Sequence, residues 1–157
     1  MRTSNTLPPQ VDPPCWEISP PDLTEFISQL GAFVPAESVL CLEGGNDADV
    51  EHYLQARPGD IESETDQGFL KMRSKVFFMP ITRENLRGLG DLTEVHAEPE
   101  VCDNLRVYDG EKIILSWHDL PSDPIYVASA IDEAALRKFC EALGCGYLFR
   151  ASERSGR

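Results

Sequence analysis

LRVYDGEKIILSWHDLPSDPIYVASAIDEAALRKFCEAL, residues 105–143, decides the fold: it reads as a hairpin, a third strand and a helix. Asp109-Gly110 is the turn signal, because a type I′ turn needs φ > 0 at both central residues and Asp-Gly tolerates that. A two-residue loop places Tyr108 opposite Glu111, then Val107 opposite Lys112 and Leu105 opposite Ile114. Side-chain alternation then puts Tyr108, Ile113, Leu115 and Trp117 on one face, with Leu105, Val107, Ile114, Ser116 and His118 on the other. Both faces carry large apolar groups, so the sheet is expected to be covered on both sides.

The helix ending this stretch has Asp132 as its cap, Leu136, Phe139, Cys140 and Leu143 at helical spacing, and Gly144 as its stop. Three more helices follow from the same signals. The first has Ser19 as cap, Pro20 at its first position and Leu23, Phe26, Ile27 and Leu30 as its apolar face. Asn46 or Asp47 opens a second that runs to about Ala56, and Thr82 opens a third that runs to about Ala97. Gly88 and Gly90 weaken that third helix by about 1 kcal/mol each relative to Ala. Ile18, Ile81 and Ile131 precede a predicted cap and stand ahead of Leu23, Leu86 and Leu136, the spacing of a hydrophobic staple.

Strands are expected at Ser38–Leu42 and Lys75–Met79, from their short apolar runs, and at Ile125–Ala128. The order is α-β-α-β-α-β-β-β-α. Strand-helix-strand connections suggest a parallel pair and the hairpin an antiparallel one. The expected architecture is therefore a single α/β or α+β domain, with a mixed sheet of about five strands and helices on its faces. Residues 1–14 hold four prolines and no periodicity and read as a flexible arm, residues 15–149 as the globular domain, and residues 150–157 as a disordered tail. GDIESETDQG, residues 59–68, reads as an acidic loop.

The chain of 157 residues has five cysteines, an odd number, with no secretory leader and no apolar run of membrane-spanning length. Reduced thiols and a cytoplasmic location are the expectation. The formal net charge is −13, of which residues 1–60 carry −8, from two basic and ten acidic side chains. Such a chain repels phosphate backbones, so nucleic-acid and membrane binding are not expected.

Three groups of residues have side chains that could carry chemistry. The strand-to-helix junction Glu43-Gly44-Gly45-Asn46 resembles neither G-x-G-x-x-G nor a P-loop, and the acidic Asp47 and Asp49 oppose a phosphate there, so no cofactor is expected. Calcium-loop spacing fails at His52 and Pro58, and Cys140-x4-Cys145 lacks a second ligand pair, so no metal is expected either. His118 and Asp119, just past a strand, are the candidate catalytic pair, although no nucleophile is placed beside them. A structural histidine at a strand end, hydrogen-bonded to a turn, is the simpler account of the pattern.

In the absence of a convincing catalytic set, the leading functional expectation is a small acidic protein-binding or inhibitor-type module that meets a basic partner through Asp47, Asp49, Glu51, Glu62, Glu64 and Asp66. The alternative is a small enzyme or small-ligand-binding domain with its site around His118 and Asp119. Either would be a monomer or a homodimer.

Overall fold

A computed structural model describes residues 8–73 and 75–151. Among these residues seven strands form one sheet in the order β3-β2-β4-β5-β6-β1-β7. In chain order they are β1 (Cys15–Ile18), β2 (Val39–Glu43), β3 (Val76–Pro80), β4 (Asn104–Asp109), β5 (Lys112–Trp117), β6 (Ile125–Ala128) and β7 (Tyr147–Arg150). The helices are α1 (Leu23–Phe33), α2 (Ala48–Gln55), α3 (Glu64–Lys71), α4 (Arg83–Val95), the single turn α5 (Glu98–Val101) and α6 (Glu133–Leu143). None is long and apolar enough to cross a membrane.

The fold is α+β, and its sheet is antiparallel throughout rather than mixed. β3 and β4 do run parallel, as the strand-helix-strand pattern suggests, but β2 lies between them and pairs antiparallel with each. The excursion through α2 and α3 brings the chain back to the end of the sheet it left, where the Gly44 N–H donates to the Lys75 carbonyl. Two strands exceed the expected five. β1 and β7 are four residues long, too short to display a period, and they pair with each other across more than a hundred residues. β7 also takes in Arg150, placed at sequence level in the tail.

The hairpin register differs from expectation. Asp109 pairs with Lys112, Gly110-Glu111 forms the turn, and a bulge beyond Val107/Tyr108 brings Leu105 opposite Trp117. Gly110 alone in this turn takes positive φ, at 62°. A single positive φ at the first central position is the requirement of a II′ turn, which moves the loop one residue onward. The faces are therefore redistributed. Leu105, Val107, Leu115 and Trp117 join Leu40, Leu42, Met79, Ile125 and Val127 in the main core, under α1, α2, α4 and α6. The opposite face carries Cys41, Glu43, Arg106, Tyr108, Ser116 and Tyr126.

That second face has its own cover. Ser63 caps α3, accepting from the Asp66 N–H, so the expected acidic loop is a helix. Its Leu70, with Ile61, packs on Cys41 and Tyr108 in a smaller core. Beside it runs the described part of the arm. The Val11 N–H donates to Ser116 Oγ at 3.0 Å and the Pro9 carbonyl accepts from Arg106 Nε at 2.7 Å, so residues 8–14 form a strap on the sheet. Residues 1–7 and 152–157 of the expected arm and tail lie outside the described residues.

Caps at Asp47, Thr82 and Asp132 agree with the sequence pattern. The first helix is capped by Asp22 instead of Ser19, because Pro20 and Pro21 keep the chain extended until a carboxylate can accept the Glu25 N–H. Ile18 is consequently a core residue of β1 and not half of a staple.

Candidate functional site

The second face is built around a buried charge. Arg106, on β4, is fully buried; its Nη1 donates to Glu43 Oε1 at 2.9 Å and its Nε to Pro9. Glu43, on β2, also accepts from Arg73 Nε and from Asn104 Nδ2. Burial raises the Glu43 pKa, but the hydrogen bonds from Arg106 and Arg73 outweigh it and hold the carboxyl below its ordinary value. Arg106 Nη2, in contrast, is buried with no hydrogen-bond partner among the described residues.

His118 follows Trp117 on the same strand path. Ser116 pairs with Arg106, so His118 is Arg106's diagonal neighbour on this face, within reach of a long side chain. The Pro9 backbone acts to raise its pKa, and Nε2 is buried and without a hydrogen-bond partner among the described residues. Burial, and next the Arg106 charge, lower the His118 pKa, so the imidazole is neutral at pH 7.

His118 lines a pocket of about 270 Å³. The strap supplies Gln10 and Val11 to its wall, and β6, β7 and the loop before β6 supply Tyr126, Arg150 and Asp123. Arg150 is paired with Glu17 at 3.0 Å, so it brings no uncompensated charge. The pocket was not visible in the sequence, since Gln10 and Arg150 are 140 residues apart and both fall in segments that read as mobile.

The proposed catalytic pair separates in character. His118 lines the pocket, whereas Asp119 is exposed, at φ 53°, with its N–H donating to Asn104 Oδ1. Neither Cys102 nor Cys140 shares the face of His118; both belong to the core on the other face. Cys41 shares the second face but lies under α3, where burial pushes its pKa up to about 12.

The six acidic residues divide between the two ends of β4, a strand of ~17 Å. Asp66 accepts from the Tyr108 hydroxyl at 2.9 Å, with Glu62 near Gly110 at the hairpin end and Glu64 exposed on α3. Asp47, Asp49 and Glu51 lie at the other end, on α2 and its cap. Glu51 is paired with Lys75, and Asp47 lies 3.3 Å from His96.

His96, which no sequence pattern singled out, sits 3.3 Å from both Asp47 and Glu100. Among the described residues, Asp47, Asp49 and His96 are the group whose ligand atoms lie within 4.8 Å of one another, close enough to share a cation. The glycine junction beside them offers no phosphate site. The Asn46 and Asp47 N–H groups both donate to the Glu100 carbonyl, and Gly45 sits at φ 85° against the Val101 carbonyl. No protein-family model, no curated protein and no solved structure matches this chain.

Proposed function

We propose that this protein binds a small polar ligand in the pocket beneath its N-terminal strap. The observation that carries this reading is the half-buried His118 imidazole, its Nε2 without a partner among the described residues, in the wall of a pocket large enough for a small molecule. Buried polar groups in folded proteins are almost always hydrogen-bonded, because an orphaned group keeps its full desolvation cost of about 1–3 kcal/mol. A ligand that hydrogen-bonds to Nε2 recovers that cost as affinity. The reading is one of binding: His118 has no nucleophile beside it among the described residues.

Backbone amide spectra recorded during titration with a panel of small metabolites test this reading. Saturable changes are expected at Val11, His118, Tyr126 and Arg150 with at least one compound, and His118→Phe should remove them. Absence of any response at these positions, or responses that survive in the variant, would overturn it.

A second reading is favoured by the acidic end of the sheet, where Asp49, Glu100, Asp103 and Asp119 are all exposed. There Asp103 packs against Gly44, and the Asp119 N–H is held by Asn104. A basic protein partner would find carboxylates from four segments converging there, with Arg73 and Lys75 beside them already paired to Glu43 and Glu51. Of the residues nominated from sequence, Asp49 belongs to this end, while Glu62 and Glu64 would engage such a partner only across the molecule. Partner capture that collapses at high salt and on Asp49→Lys/Asp103→Lys replacement would support it; capture indifferent to both would exclude it.

A further inference from the structure

His96 closes α4, its N–H donating to the Leu92 carbonyl where the helix ends. Its Nδ1 faces two carboxylate oxygens, Asp47 Oδ1 and Glu100 Oε1, each at 3.3 Å. Asp47 comes from the cap of α2, Asp49 from the first turn of that helix and Glu100 from α5. α2 and α5 are tied at the backbone, since the Asn46 and Asp47 N–H groups both donate to the Glu100 carbonyl. Asp47 divides its oxygens: Oδ2 accepts from the Val50 N–H at 3.0 Å, which fixes the carboxylate and leaves Oδ1 turned to the imidazole. The donor set is thus a ring nitrogen from one helix with carboxylates from two others, a mixture that suits transition metals.

The distances separate a metal site from an ordinary ion pair. A protonated imidazole approaches a carboxylate to about 2.7–2.9 Å, and the one hydrogen on Nδ1 can point along only one such bond. Here two oxygens share the nitrogen equally at 3.3 Å, too far for either to be a strong charge-assisted bond. Two ligands of a tetrahedral ion with bonds of ~2.0–2.1 Å stand ~3.3–3.4 Å apart, the edge of a tetrahedron being about 1.63 bond lengths. Octahedral Mg²⁺ at the same bond length needs an edge of only ~2.9–3.0 Å. Ca²⁺ has longer bonds, but it takes about 6–8 oxygens and no imidazole. Asp49 joins the set, because ligand atoms of Asp47, Asp49 and His96 all lie within 4.8 Å of one another.

Charge favours a cation at this point. Three carboxylates surround one imidazole, and the cations at this end of the sheet, Arg73 and Lys75, are already paired to Glu43 and Glu51. The carbonyl end of α4, where His96 sits, adds partial negative charge; the opposite half-charge at the start of α2 is outweighed by Asp47 and Asp49.

We propose that Asp47, Asp49 and His96 bind a divalent transition-metal ion of the zinc class, with Glu100 at the fourth position. The site lies apart from the strap pocket and depends on neither functional reading above.

Titration calorimetry on the full chain, freed of metal by chelation, tests this with Zn²⁺, Mg²⁺ and Ca²⁺, and Co²⁺ reports the geometry through its visible spectrum. One equivalent of Zn²⁺ is expected to bind, with Mg²⁺ and Ca²⁺ weaker by roughly tenfold or more. Co²⁺ should show the intense visible bands of a tetrahedral ion. His96→Ala should weaken Zn²⁺ binding by about a hundredfold and Asp49→Asn by about tenfold. Asp49 is exposed and the cap hydrogen bond of α2 belongs to Asp47, so Asp49→Asn leaves the fold intact. His52→Ala removes an exposed histidine of the same helix and should leave binding unchanged. Zn²⁺ binding that survives His96→Ala, that falls equally with His52→Ala or that Mg²⁺ matches would overturn the proposal. So would the absence of binding by either method up to about 1 mM metal.

Discussion

Arg106 reaches diagonally from β4 to Glu43 on β2, and the two side chains, 0% and 7% exposed, form an ion pair beneath the strap. The partners are unequal. Glu43 keeps Arg73 and Asn104 if Arg106 is lost, whereas Arg106 without Glu43 keeps two uncharged partners, the Pro9 carbonyl and the Cys41 thiol. Removing one member of a buried pair costs about 3–5 kcal/mol, through the charge left behind. Glu43→Leu is therefore expected to lower the unfolding free energy by about that amount, and Arg106→Met by less. The double variant should cost less than the sum, since no charge is stranded. Urea unfolding of the three variants measures this, and an equal cost for the two single changes would contradict the asymmetry.

How much of this was legible in the sequence depends on how local the signal was. Caps at Asp47, Thr82 and Asp132, and the left-handed Gly144 after α6, are decided within one turn of chain, and they appear where the pattern put them. The strands β1 and β7 are decided by pairing between chain segments far apart, and four residues such as YLFR carry no period to announce it. α3 was hidden for another reason. Its apolar residues are few, and Leu70 is buried only because the second face of the sheet offers Cys41 and Tyr108 to pack on. His118 could be nominated from its neighbours, but the pocket beside it needed the strap and β7, both formed by tertiary contact.

Gly88 reads in sequence as a weak point of α4, yet an added Cβ would fall on the Tyr53 hydroxyl. That hydroxyl donates to the Asn85 carbonyl at 3.0 Å, and Arg57 lies 3.6 Å over the Tyr53 ring, so the side chain is anchored on two sides. Gly88→Ala gains about 1 kcal/mol in helix propensity but must displace this ring, and overpacking of that kind costs about 1–3 kcal/mol. A net loss of stability is expected. In a Tyr53→Ala background the same change should become neutral or stabilising, and thermal unfolding of the pair and the double variant checks the reversal.

Ser63 supplies the cap that turns an acidic stretch into α3, its Oγ accepting from the Asp66 N–H at 3.2 Å. Asp66 in turn accepts from Tyr108, whose hydroxyl is pushed to a higher pKa by burial and then by that carboxylate. Ser63→Ala is expected to cost about 1 kcal/mol, the usual value of a side-chain cap. Hydrogen exchange should report the loss mainly in α3 and around Tyr108, leaving α6 protected. Uniform loss of protection across all helices would mean that α3 does not open on its own.

His118 gives the fold a pH dependence whose sign follows from its surroundings. The groups acting on it are Arg106, which lowers its pKa after burial, and Glu43, Asp119 and the Pro9 carbonyl, which raise it by less. Its folded pKa lies below the ordinary 6.5, so below that pH the unfolded chain binds more protons than the folded one. Stability is therefore unaffected by this group above pH 6.5 and falls as pH drops from 6.5 toward the folded pKa. Glu43 contributes separately and lower. Its folded pKa is below 4.5, so its stabilisation is present above 4.5 and is lost as pH falls through the folded value. Urea unfolding at pH 7.5, 6.5, 5.5 and 5, compared between the wild type and His118→Phe, separates the two groups. The difference in stability should be flat from 7.5 to 6.5 and should shift in favour of the variant below that, whatever the other histidines contribute, because they titrate in both proteins. Parallel curves throughout would place His118 in contact with water and remove the basis for its lowered pKa.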